Sequence, residues 1–127
     1  MNGLLAGMSL LLLAAGPGND YTRADQELNS VYREVLRSYA DDPGFVKKLK
    51  AAQRAWLAFR DAELAALYPR AQEPGYYGSI YPACFATAKA DLTERRTEDL
   101  RRWLDGVAEG DVCAGSVKRK PTLMPSP

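Results

Sequence analysis

Gln53, Trp56, Arg60 and Glu63 are the residues of this chain whose types and spacing most suggest chemistry. They sit in the stretch QRAWLAFRDAE and, with Leu67, are spaced 3, 4, 3, 4, which places them on one line of a helix. As a reaction site, Glu63 would be an acid and Arg60 an anion holder. As architecture, the same line is a polar layer inside or beside a helical bundle, with Arg60 paired to Glu63 at i+3, or else a solvated face. The rest of the chain favours architecture. It contains no histidine, so the commonest general base and metal ligand are missing. Its two cysteines lie far apart and make no zinc site. There is no nucleophile–base pair and no Gly-rich phosphate loop. The sequence therefore predicts no catalytic residues, no cofactor and no metal.

The elements that position these residues read as helices. Leu28, Val31, Tyr32, Val35, Leu36 and Tyr39 recur at helical spacing and predict a first helix over 22–39, capped by Asp20 or Thr22. Asp41, Asp42, Pro43 and Gly44 stop it, with Pro43 and Gly44 forming the turn. A second helix is expected over 45–68. Val46, Leu49, Trp56, Phe59 and Leu67 form its bulky stripe, and Ala51, Ala55, Ala58, Ala62 and Ala65 form a small-residue stripe for close approach of a neighbour. Residues 69–82 form a long loop rich in Pro, Gly and Tyr. A third helix starts between Ser79 and Pro82 and ends at Gly106 or Gly110. Phe85, Ala88, Leu92, Leu100, Trp103 and Val107 mark its buried side, interrupted by Arg96 beside Thr93. Asn29 borders the first stripe. Arg96 needs an acid or amide on a facing helix, because a buried charge without a partner costs about 3–5 kcal/mol.

The fold expected is all-α, a small antiparallel three-helix bundle. It occupies 19–107, between an export signal over 1–18 and a flexible, basic, Pro-rich tail over 108–127. Residues 4–15 are a short apolar run of signal-peptide length, and Ala14, Ala15 and Gly16 at its end are small, as a cleavage site requires. No cysteine follows the run, so no lipoprotein anchor, and no stable membrane anchor of another kind, is expected. A net charge of +1 gives no nucleic-acid footprint.

Four blocks carry a resemblance: DQELNSVY (25–32), LKAAQRAWLAFRDAE (49–63), GSIYPAC (78–84) and LTERRTEDLR (92–101). In this order they are similar to the LprI-type lysozyme-inhibitor-like domain family of exported bacterial helical domains. The family pattern falls on Leu28, Asn29, Tyr32, Leu49, Gln53, Trp56, Arg60, Asp61, Gly78, Ser79, Cys84, Thr93, Arg96 and Leu100. The resemblance implies a periplasmic or secreted protein that binds and inhibits lysozyme. A helical interaction module of the envelope without inhibitory activity is the alternative. Within such an inhibitor, Arg70, Tyr76, Tyr77, Ser79 and Tyr81 of the 69–82 loop are the candidate partner-binding residues. The opposing expectation is that the tyrosines only cover the open end of the bundle.

The chain also departs from the family. It has Leu64 where members carry a cysteine after RDAE, and no cysteine before the first helix. Cys84 therefore lacks its usual partner, and the family brace is either absent or replaced through Cys113. A Cys84–Cys113 bond is not expected: about 30 Å of helix separates Cys84 from residue 104, and the nine residues beyond span about 30 Å only when fully stretched.

Overall fold

The computed structural model describes residues 17–120, with side chains from Asp20 onward. Three helices make up the regular structure of this part: α1 (Pro17–Ser38), α2 (Pro43–Leu67) and α3 (Tyr81–Asp105). The apolar run at 4–15 lies outside the described residues. Successive helices are antiparallel, so α1 and α3 run parallel, with Tyr39 at the end of α1 meeting Trp103 near the end of α3 at 5.9 Å between ring centroids.

Local chemistry explains the boundaries. α1 begins at Pro17, before either predicted cap, and Asp20 falls in its first turn. Pro43 and Gly44 belong to the first turn of α2 instead of the turn before it. Asp42 caps that helix, its carboxylate accepting from the Phe45 amide at 3.1 Å, and proline suits a position whose N–H has no helical partner. Pro82 plays the same part in α3. Gly106 ends α3 at φ +75°, where a side chain would meet the Lys118 carbonyl.

The core comprises Leu28, Val31, Val35, Tyr39, Leu49 and Leu100, with Tyr32, Leu36, Phe45, Val46, Trp56, Trp103 and Leu104 packed around it. α1 and α3 pack more closely than either packs on α2. The residues that permit this are Ala24, Ala90, Thr93 and Thr97, all buried. Each threonine hydroxyl donates to the carbonyl one turn back, Thr93 to Lys89 at 2.7 Å and Thr97 to Thr93 at 3.1 Å, so burial leaves neither unsatisfied.

Three expectations are corrected here. The alanine stripe of α2 mediates no close approach; Ala51, Ala55, Ala58, Ala62 and Ala65 are exposed. Phe59 and Leu67 are 52% and 56% exposed, and Leu64, not Leu67, continues the buried line from Leu49 through Gln53 and Arg60. On α3, Phe85, Ala88, Leu92 and Trp103 are only half-buried, and Val107 lies past the helix end. Besides Leu100, the innermost α3 positions are the small Ala90, Thr93 and Thr97, and the other bulky residues lie on the flanks.

The tail is corrected as well. Residues 108–120 form no helix or strand, yet they fold back onto the bundle. The Val107 amide donates to the Lys118 carbonyl at 3.1 Å, and the Lys120 amide donates to the Val107 carbonyl at 2.8 Å. The buried Tyr39 hydroxyl accepts from the Lys118 amide at 2.9 Å and donates to the Trp103 carbonyl at 2.8 Å. The Lys118 ammonium sits over the Tyr39 ring at 4.7 Å and reaches the Ser38 carbonyl and Asp41. Residues 121–127 lie outside the described part.

Candidate functional site

Two groups of residues stand out, a polar layer between α2 and its neighbours and a tyrosine-rich end. The layer follows from the unequal helix spacing. α2 stands off from the closely packed α1–α3 pair, and long polar side chains fill the gap. Arg96 of α3 donates from Nε to Gln53 Oε1 on α2 at 2.9 Å. Burial pulls the Arg96 guanidinium below the usual arginine value, partly offset by Asp99 and Tyr32. Arginine nonetheless keeps its charge, so the Gln53 amide answers a half-buried cation.

Arg60 is buried two turns further along α2 from Gln53. Its guanidinium lies 5.4 Å from the Trp56 ring centroid and 5.8 Å from that of Tyr21. It bonds Asp61 at 3.2 Å and the Tyr21 hydroxyl at 3.4 Å. An arginine beside a tryptophan is therefore a stacked cation with its charge answered. The expected Arg60–Glu63 pair does not form. Glu63 is exposed, because the true inward line runs from Arg60 to Leu64 and turns Glu63 toward solvent. Asn29 is exposed and bonds Asp25 at 3.3 Å on its own helix. With Tyr32 and Gln53 it lines a groove of about 290 Å³ between α1 and α2. Leu28 and Thr93 are core residues.

At the other group, the predicted 69–82 loop is an ordered hairpin joining α2 to α3, its last two residues, Tyr81 and Pro82, already in the first turn of α3. Amide-to-carbonyl bonds three residues apart knit the backbone: Ala71 to Tyr68, Glu73 to Arg70, Tyr76 to Glu73, Gly78 to Gly75 and Tyr81 to Gly78. Gly78 takes φ +79°, a conformation that favours glycine. The Tyr77 hydroxyl accepts from the Arg70 amide at 3.0 Å, closing the hairpin. The Arg70 guanidinium lies over the Tyr76 ring at 4.9 Å. Tyr76 is 52% exposed, whereas Tyr77 and Tyr81 are half-buried and stacked at 5.5 Å. The five candidates thus divide: Arg70 and Tyr76 form an exposed pair, Tyr77 and Tyr81 belong to the support, and Ser79 is exposed on the turn.

Sequence reasoning missed Tyr68 and read Phe85 only as a buried-side residue of the third helix; the two complete this cluster. Tyr68 meets Tyr77 at 5.2 Å, Tyr81 at 5.1 Å and Phe85 at 6.1 Å. Its position one turn past Leu64 was the available signal. Burial raises the Tyr68 pKa, with smaller contributions from Cys84, Tyr81 and Tyr77. Cys84, in the first turn of α3, and Cys113 are both exposed free thiols. Leu64, at the position where the resembled family carries cysteine, is buried, and the ring cluster braces the α2–α3 hairpin.

Among the described residues no group of His, Cys, Asp and Glu is placed to hold a metal ion, and no helix is long and apolar enough to cross a membrane. A family model described as lysozyme inhibitor LprI matches residues 15–100. An uncharacterized protein of Rhizobium meliloti (strain 1021) is 34% identical over 99 residues, covering 68% of this chain and 67% of that protein. No solved structure matches.

Proposed function

The chain belongs to the LprI family, and on that premise we propose that it binds lysozyme and inhibits it without chemistry of its own, the 69–82 hairpin forming the contact face. The observation that carries this reading is the Arg70–Tyr76 pair, held exposed on a backbone already fixed at both ends. A lysozyme cleft carries two carboxylates, and an exposed guanidinium backed by an aromatic ring is suited to it. Pre-ordering by the turns and the Tyr77 anchor lowers the entropy lost on binding. Tyr77 and Tyr81 act here as the rigid base, and Ser79 adds a hydroxyl at the rim. We also place the protein outside the cytoplasm, in the periplasm or beyond, with 1–18 as the export signal.

A turbidity assay of lysozyme acting on cell walls tests the reading. Inhibition is expected, and Arg70→Ala and Tyr76→Ala should each weaken it by at least about 1 kcal/mol with helix content unchanged. Absence of inhibition would leave the domain as a non-inhibitory interaction module. Inhibition indifferent to both changes would move the contact face to Glu94, Arg95 and Glu98 on α3.

A further inference from the structure

On the flank of the same hairpin lies a groove of about 420 Å³, bounded by α2 residues Asp61 and Leu64, by Tyr68 and Gln72, and by Tyr81 and Phe85 at the start of α3. Its aromatic wall is angled. Tyr68 and Tyr81 meet at 80° and 5.1 Å, and Phe85 is inclined to them by 47° and 53°.

The polar groups are spaced along this wall. Among the described residues, the Tyr68 and Tyr81 hydroxyls, the Gln72 amide and the second Asp61 oxygen have no hydrogen-bond partner in the chain. Together they supply hydroxyls that donate or accept, an amide that does both, and a carboxylate oxygen that accepts. The electrostatics decide what class of ligand fits. Asp61 is the one charged residue in the lining, and Arg60 answers it at 3.2 Å from behind. A groove so compensated attracts neither an anion nor a cation strongly, so a neutral ligand is the electrostatic complement. Aromatic surface with a few convergent polar groups is the usual construction of a small-ligand site.

We propose that this groove binds a neutral saccharide, its apolar ring face laid on Tyr81 and Phe85 and its hydroxyls bonded to Asp61, Gln72 and Tyr68. The inference does not rest on lysozyme inhibition, and its test contains no lysozyme.

The test is a chemical-shift titration of the isotope-labelled chain with chitotriose, and with maltotriose alongside. Saturable shifts are expected at Tyr68, Gln72, Tyr81 and Phe85 with at least one of the two sugars. Asp61→Asn and Gln72→Ala should each weaken binding by about five- to tenfold, the worth of one hydrogen bond in a half-open site. Phe59→Ala, on the outer face of α2, should leave it unchanged. If neither sugar shifts the groove residues, the proposal fails. It fails equally if only a trilysine peptide shifts them, since the groove would then accept a cationic side chain of a protein partner.

Discussion

Replacing Gln53 by leucine isolates the polar layer. Leucine is close in volume to glutamine, so packing is nearly kept while the acceptor for Arg96 Nε at 2.9 Å is lost. A hydrogen bond to a charged group contributes about 1.5–3 kcal/mol. Arg96 is half-buried, so water replaces part of the bond, and the lower half of that range applies, about 2 kcal/mol. For a domain of this size that lowers the melting temperature by about 10 °C. Arg96→Met alone leaves a buried amide without its partner and should cost about 1–2 kcal/mol. The double variant restores an apolar contact across the gap and should lie near wild type, because a partnered polar pair is often replaceable by packed hydrophobic groups. Urea unfolding of all four proteins gives the coupling energy, expected to be at least about 1 kcal/mol with unchanged m-values. If the two single effects add to within about 0.5 kcal/mol, the Gln53–Arg96 bond holds nothing together and the account of the layer is wrong.

Tyr39→Phe removes the hydroxyl that joins the Trp103 carbonyl to the Lys118 amide, and should cost about 1–2 kcal/mol and speed hydrogen exchange at Lys118 and Lys120 more than in the α1–α3 interface. Tyr68 has its pKa raised in the folded state, so its neutral form is favoured there; the associated stability is complete below the unfolded tyrosine value of about 10 and is lost as pH rises through the folded value. Melting temperatures followed upward from about pH 9 should therefore fall less steeply for Tyr68→Phe than for the wild type. Protein recovered from the native envelope should begin between residues 17 and 21 on N-terminal sequencing, and an intact Met1 on cytoplasmic protein would refute export.

Periodicity made α1 legible in the sequence, because its apolar residues fall on one stripe and its charges elsewhere. α2 was harder. Alanine is tolerated inside and outside, so a helix with alanine on many positions offers two plausible inward faces, and the wrong one took Phe59, Leu67 and the alanines with it. The close α1–α3 approach was hidden for a related reason. Thr93 and Thr97 act as small buried residues only once their hydroxyls bond back to the helix, which residue type alone does not announce. The Gln53–Arg96 bond was foreshadowed, since polar residues at 3, 4 spacing within apolar stripes need partners on facing helices. The tail was illegible because backbone amides and one tyrosine hydroxyl hold it, and such contacts impose no pattern on the side chains. At the hairpin, Arg70 and the tyrosines were visible by type, but which faced solvent depended on Tyr68 and Phe85, residues beyond the loop.

The parallel pairing of α1 with α3 sets the order in which the molecule can become whole. A chain emerging from its N-terminus presents α1 first and α2 next, but α2 is the poorer match for α1. The apolar stripe of α1 therefore waits, wet and adhesive, until Leu100 and its neighbours arrive. Among the described helices the α1–α2 hairpin is no self-sufficient intermediate, and burial of α1 is delayed until α3 has been made. Such a nascent chain calls for a holding chaperone, and shortening it before Leu100 should yield aggregate instead of a smaller folded unit.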